Sequence, residues 1–120
     1  MPQIFGYYTQ LNKMAKFKRD IESTQLYFRC PGCGHLHALN DSQTDLKGEN
    51  RPVWDFNGDY ERPTIKPSYL SWSYRKNPET GKYDVETDKC HSFITDGKIQ
   101  FLSDCMHKLA NKTVELPDLD

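Results

Sequence analysis

Two pairs of cysteines are the residues of this sequence whose type and spacing could do chemistry. Cys30 and Cys33 enclose a Pro-Gly dipeptide and are followed by Gly34. A tight turn of this kind points two thiolates at one place, and its glycines relieve the strain of wrapping the backbone around a metal. The segment 30–34 therefore predicts a zinc knuckle, which supplies two of the four ligands of a structural zinc ion.

A predicted hairpin brings the second pair together. The dipeptide Asp96-Gly97 is a two-residue turn between two apolar strands, so Phe93 should face Gln100 across it. Side chains alternate between the two faces of a strand. Cys90 and Cys105 should then lie on one face, at the open end of the hairpin.

The predicted zinc site has a preferred set of ligands and one alternative. The preferred set is Cys30, Cys33, Cys90 and Cys105. Zinc also accepts imidazole, and His107 follows Cys105 by two residues, so the alternative replaces Cys105 with His107. Two disulfides, a thioredoxin-like redox pair and four unlinked cysteines are competing interpretations. Zinc is favoured because nothing indicates an oxidising compartment and Gly34 argues against a redox helix.

A possible catalytic cluster lies near the base of the same hairpin. His91, Asp104 and His107 offer two imidazoles and a carboxylate. Such a set could hold a catalytic metal with open positions, or act as acid and base. Because side chains alternate, His91 should lie on the face opposite Cys90, so one site cannot simply use both.

Short β-strands are the elements that must position these residues. Strands on both sides of the knuckle are predicted. His35 and His37 beyond it could form a second metal site, but two partly exposed strand histidines are the favoured interpretation. Leu70, Trp72 and Tyr74 alternate with polar residues, which predicts a strand of a second hairpin with an aromatic inner face.

A short helix is predicted before these strands. Thr9 could cap it, and Met14, Phe17 and Ile21 recur at helical spacing. The predicted fold is a β-rich α+β domain of small antiparallel hairpins or a meander, with a short N-terminal helix, tied by one structural zinc ion. We expect residues 1–120 to form one zinc-stabilised domain, with a helical segment at 1–24 and an acidic tail at 113–120.

The composition agrees with a small core that needs a cross-link. Only 36% of the 120 residues are hydrophobic, and the mean hydropathy is -0.84. A net charge of -1 offers no overall field for binding nucleic acid. No apolar run is long enough to span a membrane, and the first residues do not read as a secretory signal. We therefore expect a cytoplasmic protein of a bacterial host cell.

The middle and the C-terminal part of the chain resemble an uncharacterised family of small phage and prophage proteins, some of them labelled ammonia monooxygenase. The residues that carry the resemblance are Asn57-Gly58-Asp59, Arg62-Pro63-Thr64, Pro67-Ser68 and, most specifically, the run 90–107. The resemblance extends over roughly residues 26–118 and implies a phage or prophage origin and an accessory role. Where relatives often have Ala-Gly, this chain has Ala110-Asn111.

The sequence thus favours a non-enzymatic, zinc-binding accessory protein of phage or prophage origin that acts as an interaction module on a host or viral protein. The alternative is a small metal-dependent hydrolase that uses His91, Asp104 and His107. A nucleic-acid-binding zinc knuckle is a third hypothesis, which would use the basic residues of segment 13–29. The near-neutral total charge disfavours it.

Overall fold

The computed structural model describes residues 15–119, which form three antiparallel sheets and no helix. The first sheet contains β1 (Lys18–Arg19), β2 (Leu26–Arg29) and β3 (Leu36–Leu39), and the second contains β4 (Asp55–Phe56) and β5 (Ile65–Lys66). The third contains β6 (Tyr69–Arg75), β7 (Val85–Thr95), β8 (Lys98–Phe101) and β9 (Thr113–Glu115), in that order. Within the described range there is accordingly no helix that could cross a membrane.

The first sheet carries the cysteine knuckle between its two longer strands, as the sequence predicted. The pairs Phe28–His37 and Arg29–Leu36 set the register of β2 and β3. The turn is closed by hydrogen bonds from the Gly34 N–H to the Cys30 carbonyl, 2.8 Å, and from the Cys30 N–H to the His35 carbonyl, 3.0 Å. Gly34 has a φ of 80°, a conformation that favours glycine.

The hairpin of β7 and β8 also has the predicted register. Asp96 and Gly97 both have positive φ, 51° and 77°, as a two-residue turn of this type requires. Phe93 pairs with Gln100, and Ile94 pairs with Ile99. β7 is the longest strand, and β6 and β8 flank it on either side.

The core lies between the first and third sheets. Phe17 stacks on Phe28 with ring centroids 5.3 Å apart, and on Phe56 at 5.6 Å. The inner face of the third sheet contributes fully buried residues, among them Cys90, Ser92, Ile94, Ile99 and Phe101. Since the two cysteine-bearing elements pack through one core, burial brings their thiols together.

The predicted N-terminal helix is wrong over residues 15–24, and residues 1–14 lie outside the described range. Lys18 and Arg19 pair with β2 instead, and the chain then turns at Asp20, which accepts the Thr24 N–H at 2.9 Å. Phe17 is buried as predicted, but Ile21 is 93% exposed. Pairing with β2 and burial of one aromatic ring thus outweigh the helical spacing of three apolar residues.

Two further segments differ from the sequence prediction. The aromatic residues of β6 do not form an inner face, since Trp72 is 48% and Tyr74 50% exposed. Residues 113–120, predicted as an acidic tail, contain β9, which pairs with β8 through Val114 and Ile99. Leu116 and Leu119 behind it are buried, so apolar residues between the acidic ones hold this segment against the core.

A partly buried ion pair joins β1 to the loop after β3. Two guanidinium nitrogens of Arg19 donate to the two carboxylate oxygens of Asp41, both at 2.8 Å. Asp41 is 4% exposed, and the Arg19 hydrogen bonds are the main cause that lowers the pKa of its carboxyl group below the usual value.

We expect this pair to make stability depend on pH. Because the folded-state pKa of Asp41 is lowered, its contribution is complete above the unfolded pKa of about 4 and is lost as the pH falls through the folded value. Asp41→Asn should lower the free energy of unfolding by about 3 kcal/mol at neutral pH. Urea titrations from neutral to acidic pH would measure this. The two proteins should converge in stability at low pH, and a constant difference would contradict the argument.

Candidate metal centre and catalytic site

Four side chains from three parts of the fold surround one buried point. Cys30 and Cys33 come from the knuckle, His37 from β3 and Cys90 from β7. One ligand atom from each of these residues lies within 4.8 Å of the other three. Cys30, His37 and Cys90 are buried, and Cys33 is partly buried. This cluster, which we call the Cys3His cluster, could hold a metal ion.

The distances within the cluster agree with tetrahedral coordination. The Cys30 and Cys90 sulfurs are 3.7 Å apart. A tetrahedral zinc ion with Zn–S bonds of about 2.3 Å would separate two sulfur ligands by about 3.8 Å. These two thiols, although 60 positions apart in sequence, therefore need almost no movement to share a metal.

His37 supports the same conclusion through its hydrogen bonding. Its ring packs between Phe28 and Tyr69, with centroid distances of 5.5 and 5.6 Å. The Nε2 atom is buried and has no hydrogen-bond partner among the described residues. A buried ring nitrogen without a partner is costly, and a metal ion would use its lone pair.

The pKa shifts of the three cluster thiols bear on whether the cluster could bind a cation. A hydrogen bond with Cys90 is the main cause that lowers the pKa of Cys30 to about 3, and the same contact raises the pKa of Cys90. Burial raises the pKa of Cys33 to about 12. The cluster thus favours a negative charge on Cys30, and burial and that charge oppose ionisation of Cys33 and Cys90. A divalent metal would compensate the charge of further thiolates.

Cys105 and His107, the two candidates for a fourth ligand, form a second group with Cys90. The Cys105 thiol accepts the His91 N–H at 3.2 Å and donates to the His91 carbonyl at 3.1 Å. His107 accepts the Leu109 N–H at Nδ1, so its proton is on Nε2, which lies 3.5 Å from the Cys90 sulfur. Both side chains are thus already used as hydrogen-bonding groups.

A second constellation lies on the other side of β7. The hydroxyl oxygen of Ser68 is 2.9 Å from His91 Nε2, and His91 Nδ1 is 3.2 Å from a carboxylate oxygen of Asp104. Since a carboxylate only accepts, the Nδ1 atom carries the proton and Nε2 is free to accept from Ser68. The order hydroxyl, imidazole, carboxylate is that of a nucleophile, its general base and the group that orients the base.

Hydrogen bonds to backbone carbonyls position the segments that carry these residues. The Trp54 indole donates to the Ser68 carbonyl at 3.1 Å, just before β6. The His91 carbonyl accepts the Leu102 N–H at 2.9 Å in addition to the Cys105 thiol. Asp104 immediately precedes Cys105, so this thiol fixes Asp104 and His91 relative to each other. The side chains of His91 and Asp104 remain 25% and 40% exposed, and Ser68 is half-buried, so the constellation lies at the surface of the sheet.

The structure brings together some of the residues predicted from the sequence and separates others. Cys30, Cys33 and Cys90 lie together, and the Cys105 sulfur is within 4.8 Å of the Cys90 sulfur in the second group. His91 and Asp104 are in contact, but His107 lies against Cys90 on the opposite face. The predicted separation of His91 from Cys90 is therefore present.

Two residues of these sites were missed in the sequence. His37 was interpreted as partly exposed, whereas pairing with Phe28 turns it into the core. No spacing in the sequence relates Ser68 to His91, because the two residues are 23 positions apart and meet only when β6 pairs with β7. The only signal for Ser68 was its place in the Pro67-Ser68 pair of the resemblance.

Over residues 15–119 the fold and the two clusters define a small all-β protein with a Cys/His cluster that could hold a metal ion and a hydrogen-bonded serine-histidine-aspartate constellation. The chain belongs to the family described as bacterial ubiquitination-like system serine protease (BubE), whose model matches residues 8–102. The match includes Ser68 and His91 and ends just before Asp104. No curated protein and no solved structure matches the chain. A phage or prophage origin stays a prediction.

Metal analysis of single variants should separate the possible ligand sets. We expect about one metal ion per chain in the wild type, and loss of that ion in Cys30→Ser and His37→Ala, because each removes one of four ligands. His35→Ala is the matched control, since His35 is an exposed neighbour of the knuckle. Mass spectrometry of purified protein would give the metal content. Retention of the metal in His37→Ala with its loss in Cys105→Ser would instead support the set predicted from the sequence.

Proposed function

We propose that this protein is a serine protease of a bacterial ubiquitination-like system, with Ser68 as nucleophile. The observation that carries the proposal is the hydrogen-bonded chain from Ser68 through His91 to Asp104. The description of the family supports the same reaction class, although it assigns no residues. Two independent lines thus point to acyl transfer through a serine.

In the proposed hydrolysis of a peptide bond, Ser68, His91 and Asp104 each have one role. The Ser68 oxygen attacks the carbonyl carbon of the substrate while its proton passes to His91 Nε2, 2.9 Å away. His91 then gives this proton to the leaving amine, the C–N bond breaks, and an acyl ester of Ser68 remains. Water, deprotonated by His91, hydrolyses the ester and restores the serine. Asp104 keeps the proton of the imidazole on Nδ1 and stabilises the imidazolium.

We propose that the Cys3His cluster binds zinc as a structural metal. Three thiols and one imidazole are a common ligand set for structural zinc, and four protein ligands leave no open position for a substrate. Bound zinc would supply a cross-link between the knuckle and β7, and no proton transfer to the substrate needs it. Cys90 precedes His91 in the chain, so the metal would also hold the strand that presents the catalytic base.

This proposal replaces the non-enzymatic module favoured by the sequence. The alternative hydrolase with His91, Asp104 and His107 retains two of its three residues, with Ser68 in place of His107. We propose that the protein partner expected from the sequence is the substrate of the protease. Its place of action would be the bacterial cytoplasm, where reducing conditions keep the cluster thiols available to the metal.

A fluorophosphonate probe would test the nucleophile directly, because it reacts with activated serines. The wild type should be labelled on Ser68, and Ser68→Ala should abolish labelling. Ser73→Ala is the matched control, as Ser73 is an exposed serine of β6. Gel fluorescence and peptide mapping would locate the adduct. A wild type that does not react, or that is labelled equally after Ser68→Ala, would disprove the role of Ser68.

Asp104→Asn tests the orientation of the base. An amide can donate as well as accept, so it no longer forces the proton of His91 onto Nδ1. The second-order rate of labelling at Ser68 should fall by about 10⁴-fold. Asp84→Asn removes an exposed carboxylate immediately before β7 and should react like the wild type. A fall of less than about tenfold would mean that Asp104 is not the orienting group.

A further inference from the structure

Exposed apolar side chains surround the proposed nucleophile on the outer face of the third sheet. Leu70 pairs with His91 across β6 and β7, and Phe93 lies two residues beyond His91, on the same face of β7. Leu70 is 37% and Phe93 44% exposed. The opposite face of the same strands carries the buried core residues. Apolar residues on the solvent face of a sheet in so polar a chain require an explanation.

The apolar character continues along β6 away from Ser68. Trp72 and Tyr74, the next alternate residues of the strand, are about half exposed. A register shift in the pairing with β7 lies between Ser71 and Ser73, so Trp72 and Tyr74 extend the exposed apolar surface of β6 beyond this irregularity in the sheet. A substrate segment attached to Ser68 and extended along β6 would contact these side chains in turn.

The backbone of β6 favours an extended partner. Within residues 15–119, β6 is an edge strand, and its ladder hydrogen bonds go to β7 alone. The carbonyl of Ser73 receives one further bond, which also comes from β7, through the Thr87 hydroxyl. The other side of β6 thus offers N–H and C=O groups to an added strand, the mode in which many domains bind extended peptides.

We propose that the edge and exposed face of β6, with Phe93 of β7, form the substrate-docking surface for an extended polypeptide segment with apolar side chains next to the cleaved bond. The proposal rests on the proposed protease function, since it uses Ser68 as the fixed end of the surface. A folded surface loop could not follow the seven residues of β6, whereas a flexible tail or an unfolded segment could. Charged side chains would gain little from Leu70 and Phe93.

Peptide binding to the Ser68→Ala protein would test this surface separately from catalysis. Two fluorescent peptides of about eight residues, one alternating Leu with Ser and the other Glu with Ser, would be compared by anisotropy. The Leu-Ser peptide should bind at least about tenfold more tightly. Leu70→Ser and Phe93→Ser, each combined with Ser68→Ala, should each weaken its binding by about tenfold, since each removes one apolar contact.

Tyr83→Ser is the matched control, because Tyr83 is an exposed aromatic residue outside the strands of the sheet. It should leave the affinity unchanged. Melting temperature and metal content of every variant would confirm that the fold is intact. Equal binding of the two peptides, or unchanged binding in Leu70→Ser and Phe93→Ser, would overturn the docking surface. Failure of the wild type to react with fluorophosphonate would overturn the protease instead, so the two failures are distinguishable.

Discussion

The alternation of side chains along β7 is the constraint on which both sites depend. Cys90 points into the core and towards the knuckle, while its neighbour His91 points outwards to Ser68 and Asp104. A shift of one residue in the register of this strand would exchange the two faces. It would put an imidazole among the thiols and a thiol beside the serine. The candidate metal centre and the proposed catalytic constellation are therefore two consequences of one strand register.

The residues around β7 secure that register from both sides. β8 pairs with its C-terminal half through the Asp96-Gly97 turn, and β6 pairs along most of its length. The Cys105 thiol then bonds both backbone groups of His91. Burial of Ile94 and Ile99 stabilises this register, because a shift of one residue would expose these side chains to solvent. In this chain, which has few apolar residues, strand pairing and thiol hydrogen bonds are thus concentrated around β7.

The two sites need different environments, and the sheet provides them on its two faces. Thiolates and an unpartnered imidazole nitrogen are tolerated in the core only where a cation can balance them. Under the proposed function the serine, histidine and aspartate must reach a substrate, which agrees with their place on the exposed face, where Leu70 and Phe93 also lie. The separation also keeps the proposed nucleophile away from the candidate metal ligands, although Cys90 and His91 are adjacent in the chain.

The sequence by itself determined the elements that depend on turn residues within a few positions. The knuckle 30–34 follows from its cysteines and glycines, and the β7–β8 register follows from Asp96-Gly97, because turn chemistry acts within a few residues. Only the tertiary structure decided the rest. Pairing with β2 overrode the helical spacing around Phe17, and the pairing of β3 with β2 turned His37 inwards. Ser68 meets His91 across two strands. Contacts of this kind depend on which strands pair and which faces are buried. They cannot be predicted from the spacing of residues within one segment.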